Sequence, residues 1–261
     1  MTGNPFGSEQ ALHGAAWARV HGGYFADPEV ARPLVEAIHD AIGDAQPDAV
    51  VDLGGGTGYL LDRVRVAGIE PGIRLTVLES SAPQLAEAKK LGLDGVQRSV
   101  AAFRRADVAR PGQRTLWTMR SVLHYAGKTG LAPLLGHLRA QAEPGDIWVH
   151  QTACFESERD AACLNALYRL LRTGKWYPTV ADLQAALSGA GWQVETVWPA
   201  PTLHLDSGEL GLRYGLAADE LRAVRAEMKR EFGLESPVLH VDEDGFRADL
   251  HYRIFRCRAQ A

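Results

Sequence analysis

The residues whose types and spacing most clearly suggest a chemical role form a glycine-rich run at positions 51–59, Val-Asp-Leu-Gly-Gly-Gly-Thr-Gly-Tyr. Gly54, Gly56 and Gly58 recur at every second position, after a short apolar run that is typical of a buried parallel strand. Because glycine has no side chain, such a loop turns sharply and lets a ligand lie against the backbone. A helix after the loop presents free N–H groups and the positive end of its dipole. The run therefore predicts a binding site for the carboxylate or phosphate of a ligand.

The spacing of the glycines separates two kinds of nucleotide-binding loop. A dinucleotide-binding loop has the pattern Gly-x-Gly-x-x-Gly, but the sixth position counted from Gly54 is Tyr59. This departure disfavours a nucleotide-dependent oxidoreductase. The pattern acid-x-Gly-x-Gly-x-Gly, which begins here at Asp52, resembles that of the class I S-adenosylmethionine-dependent methyltransferases. The resemblance covers roughly residues 50–197, and it implies S-adenosylmethionine as the cofactor.

The second element of the expected cofactor site is Glu79, directly after an apolar run that predicts the second strand. A carboxylate at this strand tip can accept hydrogen bonds from both ribose hydroxyls. Otherwise it is a solvated loop charge or a cap on the helix that starts near Ser81. The family often has an adenine-contacting acid after the third strand, where this sequence has Ser99. Ser99 either contacts the adenine or is a plain loop hydroxyl, and Asp107 is a less well placed candidate. The expected cofactor contacts are Asp52, Gly54, Gly56, Gly58, Glu79, Ser80, Ser99, Val100, Arg120 and Tyr24.

The acceptor side of the site is predicted at the end of the fourth strand, expected over residues 116–123, because ligands bind at the carboxyl ends of parallel strands. The run Leu123-His124-Tyr125 is similar to a stretch found in many small-molecule methyltransferases. His124 is therefore the candidate general base, a role that matters only if the acceptor must lose a proton. Otherwise its ring caps the strand or packs below the cofactor. Arg120 and Tyr125 are expected to be site walls or ligand contacts.

Four further aromatic residues and one acidic loop are weaker candidates. Trp17 and Tyr24 either close over the ligand or pack the N-terminal segment against the core, and Trp176 and Tyr177 either line the acceptor pocket or pack a loop. The alternating residues His240, Asp242 and Asp244 could bind a metal, although acidic loops are usually solvated. No metal is predicted.

The alternation of apolar runs and amphipathic segments predicts βαβ units and an α/β fold with a doubly wound, mostly parallel sheet. The resemblance to the methyltransferase family implies, more specifically, the seven-stranded, Rossmann-like methyltransferase fold. Residues 1–47 are predicted to form an N-terminal helical cap, and residues 48–261 the cofactor-binding domain, with an insertion around 198–246. Strands are predicted near residues 49–53, 75–78, 95–100, 116–123, 146–151, 192–197 and 246–255.

The composition of the chain limits the classes of partner and the compartment that we expect. The chain has 261 residues and a net charge of −4, which is not the charge of a protein that binds nucleic acid or anionic membranes. Neither a secretory leader nor a membrane-spanning run is recognised. The cysteines include no Cys-x-x-Cys pair, so free thiols and a cytoplasmic location are expected. They are Cys154, Cys163 and Cys257.

The sequence therefore predicts a methyltransferase that uses S-adenosylmethionine to modify a small-molecule acceptor. The composition, rich in Ala, Arg and Gly, hints at natural-product biosynthesis. Two alternatives stay open: a cyclase or lyase that uses the same cofactor on the same fold, and a non-catalytic binding subunit. A homodimer is the candidate assembly.

Overall fold

The computed structural model describes residues 23–261, which form one mixed sheet with helices against both faces. The strands are β1 (Ala49–Leu53), β2 (Arg74–Glu79), β3 (Asp94–Gln97), β4 (Thr115–Arg120), β5 (Ile147–Ala153), β6 (Trp192–Asp206), β7 (Glu235–Ser236), β8 (Leu239–Val241) and β9 (Phe246–Ala259). The helices are α1 (Pro28–Ala45), α2 (Tyr59–Val66), α3 (Ala82–Lys90), α4 (Arg105–Val108), α5 (Gly127–Gln141), α6 (Glu158–Leu170), α7 (Val180–Gly189), α8 (Ser207–Tyr214) and α9 (Ala218–Phe232).

The strand order is β3-β2-β1-β4-β5-β9, with β6 on the other side of β9. Strands β1 to β5 are parallel, whereas β9 is antiparallel to both β5 and β6. The predicted α/β fold with seven strands is confirmed, since β1 to β6 and β9 form that sheet. Two short strands add to it, because the hairpin β7–β8 pairs with β9 beyond the end of β5.

The order of the strands creates a crevice next to β1. Strands β2 and β3 extend from β1 in one direction, and β4 and β5 extend in the other. At such a reversal the loops after neighbouring strands diverge, and ligands bind at the carboxyl ends. The register aligns these ends, because Leu53 pairs with Leu78 and Arg120 pairs with Gln151.

The core lies on both faces of the sheet. Successive residues of a strand point to opposite faces, so Ile147 and Val149 pack into the cluster of α1, α2 and α3, while Trp148 packs into that of α5 and α7. A third cluster joins α6, α8, α9 and β8 to Tyr24 and Phe25. The segment before α1 therefore packs against the helices that follow β5 and β6.

The sequence predicts helix starts at Asp27-Pro28 and at Thr179, which has Asp182 three residues later, and the structure confirms both. The side chain of Asp27 accepts a hydrogen bond from the N–H of Glu29 at 2.8 Å, and Pro28 is the first residue of α1. The side chain of Thr179 accepts one from the N–H of Asp182 at 3.0 Å and begins α7. Each cap satisfies an N–H group that has no partner within its helix.

Three predicted strand ends differ from the structure. Strand β4 ends at Arg120 rather than at residue 123, because Ser121 has a φ of +61° and residues 123–126 form a 3₁₀ turn. Strand β3 ends at Gln97, so that Ser99 and Val100 follow it in a loop. Strand β6 continues beyond the predicted residue 197, since its long pairing with β9 reaches residue 206.

Parts of the predicted domain organisation are beyond the described residues. Residues 1–22 of the predicted cap, which spans residues 1–47, lie outside the described residues, and so does Trp17. Helix α1 occupies most of the remainder of the cap. Since β6 reaches residue 206, the connection from β6 to β9 spans 207–245 within the predicted insertion. The division into a cap and a domain stays a prediction. Within residues 23–261, no helix is both long and apolar enough to cross a membrane.

We expect Gly58→Ala to destabilise the fold. Gly58 begins α2 with a φ of +80°, and a Cβ there would lie 2.7 Å from Leu93 Cδ1 and 3.0 Å from Ala88 Cβ. Backbone strain and overpacking together should lower the free energy of unfolding by about 2–4 kcal/mol, measured by urea denaturation. The control is Gly68→Ala, because Gly68 also has a positive φ but nothing within 4 Å of its Cβ position. Equal losses in the two variants would contradict the packing role.

Candidate active site

A cleft lies at the carboxyl ends of β1, β2 and β4. Its volume is about 980 Å³, including the space open to solvent at its mouth. Eight of the residues predicted to contact the cofactor line it, although they come from four separate segments of the chain: Asp52, Gly54, Gly56, Glu79, Ser80, Ser99, Val100 and Arg120.

The glycine loop forms one wall of the cleft and is tied to β2. The N–H groups of Gly54 and Gly55 donate to the carbonyl oxygen of Leu78 at 2.8 and 3.3 Å. Gly54 has a φ of +73°, and a Cβ there would lie 2.9 Å from Val122 Cγ2. Gly56 has a φ of +57° and nothing closer to its Cβ position than a Gln84 side-chain oxygen at 3.5 Å. Bare backbone therefore faces the cleft at both positions, which provides space for a ligand.

Glu79 joins this loop to the turn after β2. Its Oε2 accepts a hydrogen bond from the N–H of Gly56 at 3.1 Å, and its Oε1 accepts one from the N–H of Ser81 at 2.7 Å. The hydroxyl of Ser80 donates to the same Oε1 at 3.2 Å. The side chain is buried but lines the cleft. Glu79 is thus no solvated loop charge, and it stabilises the loop that it faces.

A second carboxylate, Asp52, lies below the loop at the end of β1. It is almost fully buried, and its Oδ1 accepts a hydrogen bond from Thr118 Oγ1 at 3.1 Å. Burial raises the pKa of Asp52 to about 6, and the nearby charge of Glu79 acts in the same direction. The hydrogen bond from Thr118 and the charge of Arg120 partly oppose that rise. Asp52 can therefore change its charge near neutral pH.

Arg120, at the end of β4, places a half-buried positive charge in the wall of the cleft. Its Nη1 donates to the carbonyl of Phe25 at 3.1 Å and its Nη2 to that of Tyr24 at 3.5 Å, and its guanidinium lies 5.4 and 5.8 Å from their ring centres. Nε has no hydrogen-bond partner, and Arg120 forms no ion pair within residues 23–261. Burial lowers its pKa, because the charged form loses hydration. An anionic ligand group at this wall would compensate that loss.

The loop after β3 forms the remaining side of the cleft. Ser99 and Val100 line it together with Arg98. The hydroxyl of Ser99 accepts a hydrogen bond from the N–H of Ala101 at 3.3 Å, so it shapes its own loop. Asp107 does not line the cleft, and its carboxylate instead accepts a hydrogen bond from the N–H of Arg104 at the start of α4.

His124 and its neighbours are packed beside the cleft. The His124 side chain is buried, and its ring centre lies 4.1 Å from that of Tyr125 and 5.4 Å from that of Tyr177. Tyr125 lines the cleft, whereas His124, Tyr177 and Trp176 do not. The backbone N–H of Trp176 donates to the carbonyl of His124 at 3.1 Å, which brings the loop before α7 to the end of β4.

Tyr24 and Gly58 also lie outside the lining of the cleft. The hydroxyl of Tyr24 donates to the carbonyl of Pro201 at 2.5 Å and accepts from Gln151 Nε2 at 3.3 Å, while burial raises its pKa. Its contact with the site is through its carbonyl, which accepts from Arg120. Gly58 instead allows α2 to approach α3 closely.

Three further residues line the cleft that the sequence did not single out individually, although Ser121 lies in the predicted acceptor-side segment. Phe25 arrives from the segment before α1, Gln84 from the first turn of α3, and Ser121 from the residue after β4. Their types are ordinary for a loop or a helix, and only the fold brings them together. Ser121 is distinguished by its positive φ, which its sequence neighbourhood does not indicate.

The remaining candidates form no second site in the part of the chain that the structure describes. No group of three metal-ligating side chains is found among these residues. Asp242 instead accepts hydrogen bonds from the N–H groups of Asp244 and Gly245, as in a tight turn. The cysteines are free and buried, and burial raises the pKa of each thiol: Cys154, Cys163 and Cys257.

Comparison with known proteins supports the fold at low sequence identity. No family model matches the chain, and no curated protein matches it. The YcgJ protein from Bacillus subtilis is similar with a TM-score of 0.63 and 12% identity, covering 88% of this chain and 99% of that one. Two methyltransferases solved with S-adenosylhomocysteine each have a TM-score of 0.52.

The first of these two is the 1,6-didemethyltoxoflavin-N1-methyltransferase of Burkholderia thailandensis, with 16% identity over 91% of this chain and 81% of that one. The second is the geranyl diphosphate C-methyltransferase of Streptomyces coelicolor, with 14% identity over 87% and 78%. Both structures also contain a small-molecule substrate. The sheet order, the glycine loop after β1 and these matches agree with one another, and the chain has the fold of the class I S-adenosylmethionine-dependent methyltransferases.

Proposed function

We propose that this protein is an S-adenosylmethionine-dependent methyltransferase that acts on a small molecule. The observation that carries the proposal is the cleft at the carboxyl ends of β1, β2 and β4. It combines bare glycine backbone, two buried carboxylates and a half-buried guanidinium in one space. The structural neighbours with bound S-adenosylhomocysteine support the choice of cofactor.

The groups in the cleft fit the parts of S-adenosylmethionine. Glu79 would accept hydrogen bonds from the ribose hydroxyls, because a carboxylate has about four lone-pair sites and the hydroxyl of Ser80 can rotate away. Arg120 would bind the carboxylate of the methionine part, and Asp52 would pair with its amino group. Gly54 and Gly56 would let the cofactor lie against the backbone, and the loop of Ser99 and Val100 would contact the adenine.

The chemical contribution of the chain is mainly positioning and the exclusion of water. When bound, the cofactor would supply a methyl group on a sulfonium sulfur, and the neutral thioether of S-adenosylhomocysteine would be the leaving group. Tyr125 forms the wall of the cleft after β4, where the acceptor would lie. For a hydroxyl acceptor, the base proposed from the sequence is His124. Its ring contacts that of Tyr125 but does not line the cleft, so this role requires the ring to move within hydrogen-bond reach of the acceptor.

Three further features are part of the proposal. The acceptor belongs to natural-product chemistry, the protein acts in the cytoplasm, and a homodimer is its candidate assembly. The buried free thiols agree with a reducing compartment. The rival chemistry, cyclisation or elimination with the same cofactor, is distinguished by its product: methylthioadenosine would indicate the rival, and S-adenosylhomocysteine a methyl transfer.

We expect S-adenosylhomocysteine to bind with micromolar affinity, about 8 kcal/mol, and Glu79→Ala to weaken binding by about tenfold or more. The variant removes the acceptor for the ribose and loosens the N–H group of Gly56. Isothermal titration calorimetry measures both affinities. The control is Glu87→Ala on α3, which removes the same charge from an exposed position paired with Lys90. Binding of NAD without binding of S-adenosylhomocysteine would refute the proposal.

We expect Asp52→Asn to make the protein more stable but a weaker binder of cofactor. The folded state raises the pKa of Asp52 from 3.8 to about 6, so it holds the proton more tightly than the unfolded state. As the pH rises from 3.8 to about 6, the ionisation of Asp52 lowers the free energy of unfolding by up to about 3 kcal/mol. The stability gain of the variant should therefore grow from acid pH to about pH 6 and stay constant above it. Denaturant titrations at several pH values, with calorimetry at pH 7.5, measure both effects.

We expect His124→Gln to lower kcat by about 10²–10⁴-fold with a hydroxyl acceptor, because proton removal takes place in the transition state. Affinity for S-adenosylhomocysteine should be retained, since His124 does not line the cleft. A profile of kcat against pH for wild type and variant measures the effect. Full activity with an unchanged profile would remove His124 from the mechanism and leave positioning as the source of catalysis.

A further inference from the structure

Ser121 is held in an unfavourable backbone conformation at the end of β4. Its φ of +61° lies in the left-handed region, which non-glycine residues rarely adopt because Cβ crowds the backbone. Such conformations persist where surrounding contacts hold them, and they concentrate at functional sites. Ser121 lines the cleft and is 5% exposed.

The contact on the Ser121 side chain comes from Tyr252 on β9. Their hydroxyl oxygens are 2.7 Å apart. Tyr252 is 1% exposed and belongs to a strand that pairs with both β5 and β6. Its ring stacks on that of Tyr24 with centres 5.8 Å apart. The position of the Tyr252 side chain is therefore fixed by the sheet and by its contact with Tyr24.

The conformation of Ser121 sets the shape of the cleft wall. Its N–H still donates to the carbonyl of Gln151 on β5 at 2.9 Å, so the chain leaves the sheet only after this residue. The left-handed turn then directs Val122 toward the glycine loop, where Val122 Cγ2 lies 2.9 Å from the Cβ position of Gly54. Ser121 and Val122 both line the cleft.

We propose that Tyr252 is a positioning residue: its hydroxyl holds Ser121 in the left-handed conformation and so keeps Val122 against the glycine loop of the cofactor site. The assignment rests on the proposed function for the identity of the ligand. Tyr252 itself does not line the cleft, and it acts through Ser121. On this assignment the hydroxyl of Ser121 serves its bond to Tyr252, although the residue also lines the cleft.

A glycine at position 121 distinguishes a serine that is needed for its bond to Tyr252 from a serine whose hydroxyl contacts the ligand. Glycine adopts a positive φ without strain, so it needs no hydrogen bond to hold the conformation. Alanine lacks the hydroxyl but keeps the Cβ that disfavours this conformation. The test therefore uses Ser121→Ala, Ser121→Gly, Tyr252→Phe and the double variant S121G/Y252F, with S-adenosylhomocysteine as the probe in calorimetry.

We expect Ser121→Ala and Tyr252→Phe each to weaken binding of S-adenosylhomocysteine by about tenfold, or about 1.4 kcal/mol. Ser121→Gly and the double variant should recover most of this loss, because glycine needs no hydrogen bond to adopt the positive φ. Rescue of the Tyr252 change by glycine is the result that a merely structural hydrogen bond would not produce. Binding by Ser121→Gly as weak as by Ser121→Ala would overturn the proposal, because the hydroxyl of Ser121 would then contact the ligand. Wild-type affinity in Tyr252→Phe would overturn it as well.

A readout without ligand keeps this inference separate from the proposed function. Ser121→Ala and Tyr252→Phe should each lower Tm by a few degrees, and the variant S121A/Y252F should lower it no further than the larger single effect. If wild type binds no S-adenosylhomocysteine, the proposed function fails. The Tm values of the single and double variants still test the hydrogen bond between Ser121 and Tyr252. Additive losses of Tm would show that the two hydroxyls do not act together, and the inference would fail.

Discussion

The carboxylate of Glu79 is the interaction on which the site depends most. It accepts hydrogen bonds from the N–H of Gly56 in the loop after β1 and from that of Ser81 in the turn after β2. The backbone carbonyl of Leu78 adds two bonds to the same loop. A loop with several glycines has many conformations to lose, so these contacts select one of them. The side chain that shapes the loop also lines the cleft, which couples the form of the binding site to a ligand-facing charge.

The sequence predicted the part of the site that is local in the chain. The spacing of Gly54 and Gly56 after an apolar run, with Glu79 after the next run, requires only one βαβ unit to bring these residues together. The strand–helix alternation then predicted the sheet, and its seven expected strands are present. Helix starts at Asp27 and Thr179 followed from cap chemistry that acts within three residues.

The rest of the site depends on contacts between distant parts of the chain. Ser121 and Tyr252 are 131 positions apart, and neither residue type suggests the other. The end of β4 was predicted too late, since residue type alone does not reveal a left-handed serine. Phe25 comes to the cleft because its carbonyl accepts from Arg120, a contact over 95 positions. The burial of Asp52, which raises the pKa of its carboxyl group to about 6, likewise depends on the packing of the whole structure and could not be predicted from the sequence.

The position of β9 in the sheet has a consequence for synthesis on the ribosome. Strand β9 lies between β5 and β6, although residues 246–259 are made long after both. Until β9 emerges, the facing edges of β5 and β6 lack their partner, and unpaired edges invite association with other chains. Tyr252 arrives with the same strand, so the nascent chain acquires its completed sheet and the partner of Ser121 in one event. Premature termination before residue 246 would therefore leave a chain with two open edges and a cleft wall without its hydroxyl contact.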